Sequence, residues 1–418
     1  MKQLFFPLIF FAAAISSCSN DQPNVGTAAT SSGDLVAINV YTGTSRASDT
    51  FTSTLEYSGE VLLHINDSVG LNVTYLFEYD GTDWSQSSSS PISWDDINFP
   101  ANFYSLHDGT DALTAVSFDD VEAIYTDYTV TGASTEHKDL VTHASILSTI
   151  PVGGAVSVYH KHALSKIHLL ASTGTNSVYI ANAQLMTIDG MGNVTIVPLS
   201  ADEIASESGI SWDVSESEFE DYLYLAIGEK DTPDEYNSTD YGSNPLINDS
   251  EDAPLMIIPQ TTTAATVSSS AKSVATFENS YVQVIYYMTD SEGMPVVGYS
   301  SVAARSDAND FIQKDQTKAL YVLAAFPLGY TFEPNKEYNV TLGLGVDGST
   351  GGILIADYYV DYKGDAVELT RKGDDDAEKE DVSGIDEGDN ILGDSDSDIC
   401  ILVTANSWND DTDAVSSE

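Results

Sequence analysis

Apolar and polar residues alternate at period two along most of the chain, the spacing that turns one face of an extended strand toward a core. The longest such run is 155–171, AVSVYHKHALSKIHLLA. Val156, Val158 and Leu164 share one parity there, and Ile167 and Leu169 the other. A single buried strand is expected, with a β-bulge near Ser165–Lys166 restoring both sets to the core. Shorter runs at 35–41, 61–65, 73–79 and 121–128 precede it. In 35–41 the residues Val36, Ile38 and Val40 are in phase. After it, 178–188 and 193–197 flank Asp189-Gly190-Met191-Gly192, which reads as a hairpin turn. The runs 222–227, 255–259, 281–288, 321–326, 338–344 and 353–360 continue the style. Almost no stretch has 3.6-residue spacing, so antiparallel β-sandwiches are expected rather than a parallel sheet with crossover helices.

Length divides this pattern. Of 418 residues, about 385 remain once the leader and tether described next are set aside, and single cores seldom exceed about 250–300 residues. Two β-domains are expected, 34–205 and 206–418. Within the second, 372–398 carries twelve acidic side chains against two lysines and reads as a solvated linker. A last strand follows at 399–405, with Ile399, Ile401 and Val403 facing one way. The formal charge of −50 repels phosphate backbones, so nucleic acid is excluded as a partner.

The first residues, Met1-Lys2-Gln3 and an apolar run to Ile15, have the form of a secretory signal at 1–17, too short to span a bilayer. Ile15-Ser16-Ser17-Cys18 resembles a bacterial lipobox, which makes Cys18 the lipidated first residue of a lipoprotein and 18–33 a flexible tether. The second cysteine, Cys400, then has no partner for an internal disulfide. Arg46, one of three arginines, stands in a turn-rich stretch of small polar residues, where a protease could reach it.

Motifs for chemistry fail on context. Gly343-Leu344-Gly345-Val346-Asp347-Gly348 spells a dinucleotide fingerprint, but no helix follows it and Asp347 opposes a phosphate. Asp394-Ser395-Asp396-Ser397-Asp398 opens like a calcium loop, yet Ile399 stands where glycine is required. His160 and His162 share a side of their strand, but His168 falls after the slip and no cysteine or carboxylate lies at ligand spacing. They read as core or interface histidines. No nucleophile elbow or zinc-protease helix is present. Neither a catalytic residue, nor a metal, nor a cofactor is expected.

Three segments, in order, carry a family likeness: His162-Ala163-Leu164-Ser165-Lys166-Ile167; Pro254-Leu255-Met256-Ile257-Ile258-Pro259-Gln260; and Leu342-Gly343-Leu344 with Gly351-Gly352-Ile353-Leu354 and Val403-Thr404-Ala405-Asn406-Ser407-Trp408. The chain resembles the fimbrillins, exported subunits of the type V pili of Gram-negative anaerobes. That resemblance implies two transthyretin-like antiparallel β-sandwich domains in tandem. It also implies a lipoprotein of the outer membrane whose amino-terminal strand is removed by an arginine-specific protease. The opened groove then takes a strand from another fimbrial subunit. On this chain the implied parts are Cys18 for the lipid, a cut between Arg46 and Ala47, the strand 35–41 that leaves, and Ile399, Ile401 and Val403 on the donor strand. The implied location is the outer membrane and fimbrium at the cell surface. The alternative is a monomeric surface lipoprotein binding a glycan or host ligand, with Trp84, Trp94 and tyrosines as a stacking platform.

Overall fold

A computed structural model of the chain describes residues 35–42, 60–80, 83–108, 116–132, 137–172, 177–200, 203–204, 209–214, 219–226, 234–237, 255–265, 279–289, 318–344, 353–363, 366–371 and 401–407. The strands of the first half are β1 Ala37–Thr42, β2 Glu60–Asp67, β3 Asn72–Tyr79, β4 Trp84–Gln86, β5 Ala101–His107, β6 Val116–Phe118, β7 Ala123–Thr129, β8 Val141–Leu147, β9 Ala155–His162, β10 Ser165–Ser172, β11 Ser177–Asp189 and β12 Met191–Ile196. Those that follow are β13 Ile210–Val214, β14 Phe219–Ala226, β15 Asp234–Asn237, β16 Leu255–Ile257, β17 Tyr281–Thr289, β18 Lys318–Pro327, β19 Lys336–Gly343, β20 Ile353–Lys363, β21 Ala366–Arg371 and β22 Ile401–Ser407. Among the described residues the chain is all-β, apart from one 3-10 turn at Trp94–Asp96.

The strands form four sheets. A seven-stranded sheet has the order β1-β9-β8-β5-β2-β3-β4. Period-two residues Val61, Leu63 and Ile65 of β2 and Ile38 and Val40 of β1 fill a core on one of its faces. Strand β5 is buried on both sides, because Ala101 and Phe103 enter that core while Tyr104 and Leu106 enter a second one. The second core is shared with the small sheet β13-β12-β7-β6, through Ala123, Val194 and Ile196. It continues between the sheet β16-β10-β19-β22 and the sheet β14-β11-β17-β18-β20-β21, to which β15 adds through β11; Ile167, Val340, Val178 and Val284 share that core.

Named strand pairs are antiparallel except two. Strand β1 runs parallel to β9, and β10 runs parallel to β19. Both exceptions join strands more than a hundred residues apart, so neither is visible as a local hairpin signal.

Two expectations from the pattern are corrected. The run 155–171 is not one bulged strand: β9 ends at His162, β10 begins at Ser165, and they lie in different sheets. The parity slip marks this passage. Strand β9 buries positions 156, 158, 160 and 162, whereas β10 buries 165, 167, 169 and 171. Ala163 and Leu164 between them are both fully buried. Their backbone is satisfied in place, since Ala163 N–H donates to Leu140 O and Asn335 N–H to Leu164 O.

The second correction concerns Gly190. Strands β11 and β12 flank it but form no hairpin, since β11 pairs with β14, β15 and β17 while β12 pairs with β7 and β13. Gln260 makes the difference. Its Oε1 accepts from Asp189 N–H at 3.1 Å and its Nε2 donates to Asp189 O at 3.0 Å, which occupies the bonds a hairpin turn needs. Pairing therefore runs across position 205, itself outside the described residues, in both directions.

Candidate functional site

The edge strands β1 and β22 are the elements on which a strand-exchange function would turn. Val36, just ahead of β1, and Ile38 and Val40 on it are 2, 3 and 3% exposed, so the alternation in the sequence becomes an apolar row sunk in the smaller core. One edge of β1 is laddered to β9, from Ala37 opposite Ala155 to Thr42 opposite His160. Its start meets the far end of the same sheet. Leu35 bridges Ser93, and Val36 N–H donates to Ile92 O at 3.1 Å. Gln86 of β4 completes the join, its Nε2 donating to Val36 O at 2.8 Å and to Ile92 O at 3.1 Å. Its Oε1 accepts from Ile92 N–H at 2.8 Å. The first and last strands of the seven-stranded sheet are thus closed on each other by one side-chain amide and a short loop.

Below this join lies Trp94, 2% exposed, with its Nε1 donating to Gly154 O at 3.1 Å. It packs among the side chains that β1 covers. This corrects the expectation of an exposed aromatic platform: Trp94 is core. Trp84 is half-buried against the same core, with its ring centroid 5.3 Å from that of Tyr79. An indole in such a place is consumed by packing.

The histidines go to separate partners. His160 Nε2 stands 2.9 Å from Ser105 Oγ in the interior of the sheet. His143, beside it, has Nε2 3.0 Å from Ser145 Oγ and receives Tyr159 N–H on Nδ1 at 3.1 Å. Burial holds His143 down at about 4 and His160 well below the ordinary histidine value, so both are neutral at pH 7. His162 Nδ1 pairs with Asp139 at 2.6 Å, and His168 Nε2 with Glu337 at 2.8 Å. Among the described residues no group of three or more histidine, cysteine or acidic side chains could hold a metal ion.

Strand β22 lies at the edge of its sheet, antiparallel to β19, with Ile401 opposite Leu342 and Val403 opposite Val340. Ile401 and Val403 are half-buried against the larger core, and Leu402 is 58% exposed. The remaining sequence-predicted positions, Cys18, Arg46, Ala47, Ile399 and the acidic linker 372–398, lie outside the described residues. Gln86, Ser105 and His143 were not singled out by the sequence pattern. Gln86 sits in the polar run Ser85-Gln86-Ser87, where nothing marks it, and its partner Val36 is fifty positions away.

No family model and no curated protein matches the chain. Among solved structures it is similar to a candidate cell adhesion protein of Bacteroides eggerthii, at 14% identity and a TM-score of 0.39, over 90% of this chain and 97% of the other. It is also similar to a candidate cell adhesion protein of Parabacteroides distasonis, at 9% identity and a TM-score of 0.39, over 81% and 96%. A third is the tip fimbrial protein Mfa3 of Porphyromonas gingivalis with its carboxy terminus truncated, at 8% identity and a TM-score of 0.32, over 81% and 98%.

Proposed function

We propose that this chain is a fimbrial subunit or accessory protein of the cell surface, built from two β-sandwiches in tandem and assembled by strand exchange. In this reading it is exported as a lipoprotein on Cys18 and held at the outer membrane. An arginine-specific protease cuts between Arg46 and Ala47, and the departing segment takes the lipid and β1 with it. The vacated groove receives a strand from another subunit, and the segment of Ile399, Ile401 and Val403 is the part of this chain offered in return. No enzymatic step belongs to it.

The observation that carries this reading is the place of β1. It is an edge strand, bonded to one named strand, yet its inward side chains Ile38 and Val40, with Val36 just ahead of it, are core residues. Burying a valine or isoleucine contributes about 1.5–3 kcal/mol, so removal of this row would leave an apolar slot beside an open ladder on β9. Such an edge is completed by addition of another strand, which satisfies the backbone and the slot together.

The test is to treat the exported chain with an arginine-specific protease and read the new amino terminus and the oligomeric state. Ala47 as the first residue, with heat-sensitive oligomers that Arg46→Lys abolishes, is the expected result. Cleavage at another site, or an Ala47 product that stays monomeric, removes the proposal.

A further inference from the structure

The join between the two ends of the seven-stranded sheet does more than close it. Both backbone groups of Val36, just ahead of β1, are addressed by fixed partners: its N–H by Ile92 O, within the bridge of Leu35 to Ser93, and its C=O by Gln86 Nε2. Gln86 is itself held, because Ile92 N–H donates to its Oε1 and Ile92 O accepts from its Nε2. The amide is therefore oriented before β1 is considered. Its remaining reach is spent on one carbonyl, that of Val36 at the entry to β1.

Apolar pockets alone specify register weakly here. Val36, Ile38 and Val40 are alike in size and repeat at period two, so a slide of two residues returns a similar face to the core. Strand β9 offers the same ambiguity, with Val156 and Val158 in phase beneath. A directional bond at one point breaks the degeneracy, since a shifted strand keeps its ladder but presents a different residue to Gln86 and Ile92.

The geometry points to Gln86 as the register pin of the groove that β1 fills. Whatever strand lies there is seated by one residue whose C=O accepts from Gln86 Nε2 and whose N–H donates to Ile92 O. A strand with proline at that residue lacks the N–H and is rejected. For β1 this stands on the contacts alone; for an incoming strand it rests on the strand-exchange reading above.

Hydrogen exchange on the full chain tests it. Gln86→Met keeps the length of the side chain and loses its bonds. Amides of 36–42 should then exchange about tenfold faster, the loss of roughly one to two hydrogen bonds in a local opening. Gln86→Glu, which opposes oxygen to Val36 O and Ile92 O, should exceed that. Amides of 101–107 and 141–147 should be unchanged in both. Unaltered exchange in 36–42, or equal acceleration everywhere, overturns the pin, the second result marking Gln86 as a general support. If Gln86→Met does not fold, Gln86→Asn retains the amide and withdraws it by one methylene, and the same comparison applies. The two proposals fail separately. Selective loosening of 36–42, with wild-type chains that remain monomeric after cleavage at Arg46, would remove strand exchange and keep the pin for β1.

Discussion

Strands β1 and β22 both stand at sheet edges and both are fully laddered, over six register pairs and seven, yet they are held differently. Each ladder bond is worth about 1 kcal/mol net, so backbone pairing does not separate them. Side chains do. The inward row of β1 is no more than 3% exposed, whereas Ile401 and Val403 rest on the rim of their core and Leu402 faces solvent. A strand that is core leaves only when return is made improbable. In the proposed assembly, cutting the chain behind β1 removes the effective concentration, of about millimolar order, that a tether provides. A strand on the rim needs no such step to be traded for a like one.

The largest effect expected from this comparison is at Ile38. Ile38→Ala opens a cavity in a site with little room to collapse, against Val61, Leu63 and Val156 of the same core, and should cost about 2–5 kcal/mol. The measurement is the denaturant midpoint, with exchange of the 61–65 amides to locate the loss. A cost under about 1 kcal/mol would show that β1 is not part of the core, and the contrast with β22 would disappear.

Acid should act next, first through the buried histidines of the sheet that holds β1. His143 and His160 are held neutral by burial, so their folded values lie below the ordinary 6.5. A lowered histidine contributes stability that is intact above the unfolded value and is lost as pH falls from 6.5 toward the folded value, about 4 for His143. At pH 5.5 His143 should cost on the order of 1 kcal/mol, and His160 adds to it in the same direction. The chain as a whole moves the other way, because acid relieves a formal charge of −50. The two are separated by His143→Gln, which should reduce the acid loss in exchange of 141–147 and 155–162 and leave the share that His160 carries. Parallel acid profiles for the variant and the wild type would assign the loss elsewhere.

How much of this was legible depends on how far each residue reaches. The phase of Val36, Ile38 and Val40 was readable because three alternating apolar residues need no partner to declare a buried face. The slip between Val158 and Ile167 was equally visible, but a bulge and a passage between sheets produce the same change of parity. What decides is the position of Leu140 and Asn335, which hold Ala163 and Leu164 from far along the chain. His160 and His162 were correctly placed on one side of a strand. Their partners Ser105 and Asp139 depend on the order β9-β8-β5 and on a loop, neither encoded locally. Trp94 shows the limit from the other direction: composition alone gives an indole the same standing in a core as on a binding surface.

The smallest effect should be at β22. Ile401→Ala removes a side chain that is only half-buried, at an edge where neighbours can close in, so it should cost about 1 kcal/mol or less. Val403→Ala removes less still. What those substitutions change is the strand's lifetime in place: exchange of the 336–343 amides, which β22 covers, should rise while 165–172 on the far side of β19 holds. If Ile401→Ala instead costs as much as Ile38→Ala, the packing of β22 is cooperative with the core, and the strand could not be offered to another subunit without unfolding its own sheet.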